Sequence, residues 1–318
     1  MRQRRFTVGI LGARGHVGAE LLPLLGAHPE MELAAVISRA YAGRAVAEVL
    51  PGTTTALRYE DLAPAEAAAR GLDAWILALP NGEAAPWVTA LTAARGEVVL
   101  VDLSADYRFS ADWIYGLVER DRNRLAGARR IANPGCYATG MQLALWPLLP
   151  VAAGPATAFG VSGYSGAGTT PSPRNDVNLL RDNLMPYQLV GHLHEREVSH
   201  HLAHPVHFLP HVAPFFRGIT LTISLPLSVP LTALEVEARF RDHYAGEPLV
   251  RVQREAPLVR DAAGRHHVTL GGFTVAREAP RAVVVATLDN LLKGAATQTL
   301  QNLNLALGLP ELQGLVLP

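Results

Sequence analysis

The chain has 318 residues, 49% of them apolar and 18% charged, which leaves room for two ordinary domains with full cores. Its 28 lysines and arginines balance 28 aspartates and glutamates, so it lacks the basic footprint that nucleic-acid or anionic-membrane binding requires. A single cysteine, Cys136, excludes an intramolecular disulfide framework and suits a reducing compartment, the cytoplasm.

Residues 1–5 run straight into the strand-like Phe6–Leu11, a start that predicts no secretory leader. The loop Gly12-Ala13-Arg14-Gly15-His16-Val17-Gly18 follows, and residues 19–25 continue with helical spacing. Glycines at 12, 15 and 18, after a strand and before a helix, let backbone turn tightly and approach a pyrophosphate at a helix N-terminus. Met31–Ile37 reads as a second strand and ends at Ser38-Arg39 rather than at the acidic residue that holds a free ribose 2′-hydroxyl. A hydroxyl and a guanidinium suit a 2′-phosphate, which points to NADP; an ordinary exposed arginine is the plainer reading of Arg39. Residues 73–79 and 98–103 repeat the strand pattern around a helix-like stretch at 84–94, predicting a doubly wound parallel sheet over residues 1–135.

No charged residue occurs between Arg130 and Arg174, but Pro147, Pro150, Gly154 and Pro155 break any membrane-spanning helix. A buried, function-bearing segment is expected instead. Within it, Asn133-Pro134-Gly135 forms a turn ahead of Cys136 and an apolar helical stretch at 140–149. A thiol at a helix start feels the positive end of the dipole, which favours thiolate. Single cysteines are more often buried hydrophobes; the turn before this one and the helix behind it argue for a nucleophile.

Beyond this point the spacing changes. Residues 158–161, 207–209, 219–225, 250–252, 268–273 and 283–287 are β-like, with helical stretches at 195–202 and 234–244. This predicts an α+β catalytic domain on a mixed sheet over 136–290. A helix over 291–307 is expected to pack back on the dinucleotide domain, so that residues 291–318 join it. His192, His194, His200, His201, His204, His207 and His211 crowd one segment. An H-x-H pair is a fragment of a zinc site, but thiolate and carboxylate partners are sparse, and no metal is expected.

Asn133-Pro134-Gly135-Cys136-Tyr137-Ala138-Thr139 resembles the active-site segment of the N-acetyl-γ-glutamyl-phosphate reductases of arginine biosynthesis. The resemblance runs in family order over nearly the whole chain. It takes in the glycine loop, Ala78-Leu79-Pro80-Asn81-Gly82, Asp102-Leu103-Ser104-Ala105-Asp106-Tyr107-Arg108 and Val161-Ser162-Gly163-Tyr164-Ser165-Gly166-Ala167-Gly168. It continues through Gly191-His192-Leu193-His194, Arg217-Gly218-Ile219 and residues 288–296. The resemblance implies the fold shared by aspartate-semialdehyde and glyceraldehyde-3-phosphate dehydrogenases. It also implies NADPH-dependent reduction of an acyl phosphate through a thioester on Cys136, with release of inorganic phosphate, by a homodimer or homotetramer.

By the same resemblance His194 is the acid/base, His192 contacts substrate or phosphate, and Glu197 orients the imidazole. The family usually has proline before that glutamate, where this chain has Arg196. Arg108 and Arg217 fall at the substrate pocket, where a planar guanidinium suits carboxylate or phosphate; surface ion pairs are the alternative for both. Pro80, Ser162, Gly163, Ser165 and Gly166 fall on the cofactor, and Asn290 on the nicotinamide amide, with a helix cap as its alternative or additional role. Reduction of a carrier-protein-linked aminoadipyl or glutamyl phosphate is the close rival function. A non-catalytic NADP-binding regulator and a histidine-rich metal-binding protein are rivals from other classes.

Overall fold

Along the first strand, β1 (Phe6–Leu11), side chains alternate between two faces, and each face has its own core. Val8 and Ile10 enter a cluster with Leu21, Leu25, Ile76, Val101, Leu300 and Leu303, whereas Leu11 joins Trp75, Leu77, Leu91, Leu100 and Trp113 on the other side. A strand buried on both faces must be covered by helices on both, which is the doubly wound arrangement. The computed structural model describes residues 5–53, 55–276 and 278–317; the start of the chain, on which the leader expectation rests, falls mostly outside them. It divides the chain into two compact units, Met1–Pro134 with Ala295–Pro318, and Gly135–Gly294.

In the first unit β1 is followed by β2 (Met31–Ile37), β3 (Ala74–Leu77), β4 (Val99–Asp102), β5 (Ile114–Tyr115) and β6 (Arg130–Ala132). They form a parallel sheet in the order β2-β1-β3-β4-β6-β5. The strand order reverses beside β1, and ligands of such sheets bind outside the carboxyl ends at that switch point. The C-terminal helix, Thr297–Ala306, packs within this unit against the helices His16–Gly26 and Val118–Leu125 and against β4. Its Gln298 Nε2 and Asn302 Nδ2 both donate to the carbonyl of Gly116, at 2.6 and 3.1 Å. The helix expected from residue 291 instead opens with a π-helical turn, Leu292–Ala296.

The second unit holds β7 (Ala156–Gly163), β8 (Met185–Pro186), β9 (Val206–Ala213), β10 (Ile219–Pro226), β11 (Val250–Val252), β12 (Val268–Ala276) and β13 (Arg281–Leu288). These make a mixed sheet in the order β11-β12-β13-β10-β7-β9-β8. The helix Cys136–Leu145 lies on β10 and β13 with Tyr137 to Leu145 all buried, and the helix Leu193–Leu202 packs beside it and on β9. The charge-free stretch is therefore the core helix of this unit together with β7. No helix among the described residues is long and apolar enough to cross a membrane. The helix begins at Cys136, four residues before the expected start, and becomes 3₁₀ over Trp146–Val151, where Pro147 and Pro150 deny the α-helical hydrogen bonds. On the other face of the sheet Phe159 is 38% exposed, and Thr157, His207 and Thr222 are exposed near it.

Candidate active site

The first unit carries the dinucleotide loop. Gly12 turns at φ +78°, which a side chain adopts only with strain, and its amide and that of Ala13 both donate to Ile37 O, at 3.1 and 3.2 Å. Gly15 is the N-cap of the helix His16–Gly26, and a Cβ there would meet nothing closer than 4.0 Å, so the space beside it is open. Gly18 packs directly on the backbone of Ala13. Turn, open approach and close packing are the three tasks of a dinucleotide glycine loop. Arg14 is exposed at its rim, and His16 and Val17 open the helix; burial lowers the His16 pKa, which keeps that ring neutral. At the end of β2 the Ser38 hydroxyl is buried with no hydrogen-bond partner among the described residues, and the Arg39 side chain is 91% exposed. An orphaned hydroxyl and an extended guanidinium at this edge fit a phosphorylated ribose. These residues fit a bound dinucleotide.

The loops beyond β3 and β4 are tied together next to that crevice. The Asp106 carboxylate accepts the amides of Gly82 (2.7 Å) and Ala84 (3.2 Å), and Asn81 Oδ1 accepts that of Ala105 (2.9 Å). Pro80 is exposed within this brace. Asp102 is wholly buried beneath it, held by the Ser104 hydroxyl at 2.7 Å, and loss of hydration raises its carboxyl to about 6. Arg108 is buried as well: its Nε donates to Asn133 O at 3.0 Å and its Nη2 to Leu103 O at 2.9 Å. Its described bonds brace the backbone of the Asn133 turn.

The second unit carries the cysteine and the histidines. Cys136 is the first residue of its helix and is half-buried, so the thiol is not sealed in hydrocarbon. Just ahead of it, the Gly135 amide donates to Oε1 of Glu197, a fully buried carboxylate, at 2.9 Å. The described bond of Glu197 thus grips the turn that presents the cysteine, a task the resemblance did not assign to it. Arg196 lies inside the helix Leu193–Leu202 and donates its amide to His192 O, a bond that proline could not make.

His192 is the N-cap of that helix: its Nδ1 accepts the amide of His194 at 3.1 Å. That bond requires the neutral ring with the proton on Nε2. Burial, assisted by the charge of Arg174, brings its pKa to about 4. The His192 and His194 rings lie 5.0 Å apart, and Tyr137, next to Cys136, packs on both, at 6.5 and 5.9 Å. Tyr137 donates its hydroxyl to His211 O at 2.9 Å, and burial raises its pKa well above the ordinary phenol value. Burial and the charge of Cys136 push Tyr187 up to about 12, so this phenol stays neutral.

Asn290 Nδ2 donates to Ser165 Oγ at 2.9 Å, and its Oδ1 accepts the Gly218 amide at 2.7 Å. The helix-capping alternative for Asn290 falls instead to Asp289, whose Oδ1 accepts the amides of Leu291 and Leu292. Ser162 Oγ lies close to Gly166, and Gly163 packs on the backbone at Phe216, so these residues and Ser165 form one knot around Asn290. Arg217 is held bidentately by the buried Asp289, at 2.6 and 3.1 Å. The second unit therefore gathers Cys136, His192, His194, Glu197, Ser162, Gly163, Ser165, Gly166 and Asn290, with Arg217 committed to an internal pair. Residue-type reasoning missed Tyr137, Tyr187, Asp289 and Gly294. A Cβ at Gly294 would come 2.7 Å from that of Cys136, and nothing in local sequence announces that approach.

Residues 7–128 match the model of the semialdehyde dehydrogenase NAD-binding domain, and residues 136–290 that of the semialdehyde dehydrogenase dimerisation domain. Solved structures agree on the fold. Aspartate semialdehyde dehydrogenase II of Vibrio cholerae superposes with a TM-score of 0.76 at 20% identity, covering 96% of this chain and 99% of that one. The Candida albicans aspartate semialdehyde dehydrogenase solved with NADP gives 0.70 at 18%, covering 94% and 99%. Fold and site together define an oxidoreductase of the semialdehyde dehydrogenase class that uses a nicotinamide dinucleotide.

Curated relatives narrow the class. The N-acetyl-γ-glutamyl-phosphate reductase of Stenotrophomonas maltophilia is 59% identical over 98% of both chains. That of Xanthomonas campestris is 60% identical over 96% of this chain and 97% of its own, and that of Xylella fastidiosa 57% over 98% and 95%. The chain belongs to the N-acetyl-γ-glutamyl-phosphate reductase family.

Proposed function

We propose that this chain reduces N-acetyl-γ-glutamyl phosphate to N-acetylglutamate 5-semialdehyde with NADPH, releasing inorganic phosphate. It does so as a cytoplasmic homodimer or homotetramer serving arginine biosynthesis. The observation that carries the proposal is Cys136 at the first position of a buried helix, its preceding amide anchored on Glu197. The names of relatives that match almost end to end support the substrate. NADP is preferred to NAD because β2 ends in the Ser38 hydroxyl and exposed Arg39 rather than in a carboxylate.

In this reading the Cys136 thiolate, favoured by the helix dipole, attacks the acyl carbon. The carbon–oxygen bond to phosphate breaks, phosphate leaves with the electron pair, and a thioester remains on Sγ. A dinucleotide held by the Gly12–Gly18 loop would supply hydride for the thioester carbon. Collapse of the resulting tetrahedral adduct expels the aldehyde and restores the thiolate, and His194 exchanges the proton at the substrate oxygen. His192 is unsuited to that exchange, because its Nδ1 is occupied and its pKa of about 4 keeps it neutral. Its Nε2–H is a fixed donor, suited to an oxyanion.

The test is phosphate-dependent NADP reduction with N-acetylglutamate semialdehyde, run beside Cys136→Ser. Turnover is expected in the wild type and a loss of at least about 10³-fold in the variant, since the alkoxide route is far harder for serine than thiolate attack is for cysteine. Undiminished turnover by the serine variant would eliminate the covalent route.

A further inference from the structure

The two arginines that sequence offers for the substrate's charges make internal bonds, Arg108 to two backbone carbonyls and Arg217 to Asp289. Arg174 is placed differently. It is exposed on the 3₁₀ turn Pro173–Asn175, and its guanidinium carbon lies 5.0 Å from the centroid of the Tyr187 ring. Asn175 staples that turn: Nδ2 donates to Gly168 O (2.9 Å) and Thr170 O (2.8 Å), and Oδ1 accepts the Ser172 amide at 2.8 Å.

The ring beneath Arg174 belongs to the Cys136 cluster. Tyr187 packs edge-on to His192 at 5.5 Å, the same ring that packs on Tyr137, the residue after Cys136. The charges of Cys136 and Arg174 both reach Tyr187, with opposite effects, and that of Arg174 also reaches His192. A cation–π contact consumes no N–H donor, so a guanidinium held over a ring keeps its hydrogen-bonding edge for an anion. Among the described residues no carboxylate forms an ion pair with Arg174. We infer that Arg174 is a substrate-binding residue of the Cys136 pocket, its guanidinium receiving an oxyanion of the acyl phosphate. The oxyanion is either the phosphoryl group displaced by Cys136 or the carboxylate at the substrate's other end. This inference rests on the reaction proposed above.

The experiment is the reverse reaction of the full chain with N-acetylglutamate semialdehyde, inorganic phosphate and NADP⁺, varying each of the first two in turn. Arg174→Gln is expected to raise one KM about 10- to 100-fold, the span that a charge-assisted hydrogen bond commands, while kcat changes far less. Arg174→Lys, which keeps the charge, should recover most of the loss. A rise in the phosphate KM assigns the phosphoryl oxyanion, and a rise in the semialdehyde KM assigns the carboxylate. Wild-type KM values for both phosphate and semialdehyde in Arg174→Gln overturn the inference. So does a defect confined to kcat and shared equally by the lysine variant. A wild-type chain that turns over neither substrate overturns the reaction itself, a different result from an active wild type with an indifferent Arg174.

Discussion

The imidazole of His192 closes the first turn of the helix Leu193–Leu202, and its burial ties the second unit's stability to pH. Its folded pKa is about 4 against an ordinary 6.5. Between those values the unfolded chain takes up a proton that the folded chain refuses, so this contribution is complete above about 6.5 and is lost as pH falls toward 4. His267, also brought to about 4 by burial and by neighbouring Arg251 and Arg265, acts in the same sense. Asp102 in the first unit acts in the opposite sense: its carboxyl, raised to about 6, is disfavoured as an ion, so stability falls as pH rises from about 4 to 6. Comparing His192→Asn with wild type isolates the first effect, because asparagine keeps a capping acceptor and does not titrate. Calorimetric melting temperatures are expected to match at pH 7 and to separate at pH 5, with the variant higher; parallel curves would refute the assignment. Residue type and order singled out Cys136, whereas His192 and His194 were assigned to a site only by the family resemblance; the structure gathers all three around Tyr137. The capping role was not legible, because histidine is outside the usual set of capping residues and only burial fixes its tautomer. Neither was the grip of Glu197 on Gly135, which joins positions 62 residues apart.

Elements differ in how far their own sequence dictates them. The long strands β1, β2, β10 and β13 were readable because each has a run of β-branched and aliphatic residues. The short β5, β6 and β8, of two or three residues, carry too little pattern and exist because neighbours in the sheet pair with them. Residues 291–307 read as one helix, yet Leu292–Ala296 is wound as a π turn with the Gly294 amide bonded to Asp289 O at 2.9 Å. The reason lies in packing: this turn comes so close to Cys136 that a methyl group at 294 would overlap its Cβ. Gly294→Ala is therefore expected to leave the sheet intact and to lower kcat about 10- to 100-fold, through displacement of the thiol. The alkylation rate of Cys136 should change in parallel, and an unaltered rate with full activity would show the crowding to be inconsequential.

Within the second unit, among the described residues, part of one face of the mixed sheet is exposed around Thr157, Phe159, His207 and Thr222. Phe159 stands there in contact with His211, ring centroids 4.6 Å apart, flanked by Leu209 on β9 and Thr222 on β10. A sheet face with an exposed aromatic, in a segment matching a dimerisation domain, is where a second copy is expected to seat. Phe159→Asp should shift the mass measured by light scattering toward the monomer; an unchanged mass would place the contact elsewhere. This surface was not legible in the sequence, because alternation marks which residues share a face and not whether that face is covered.

Because Cys136 is the chain's lone thiol and is half-buried at the start of its helix, any sulfhydryl reagent doubles as a census of competent molecules. The equivalents consumed per chain report what fraction of a preparation is folded and reduced at the sulfur proposed as the nucleophile. A stoichiometric fluorophore placed there becomes a local reporter with no background from elsewhere in the polypeptide.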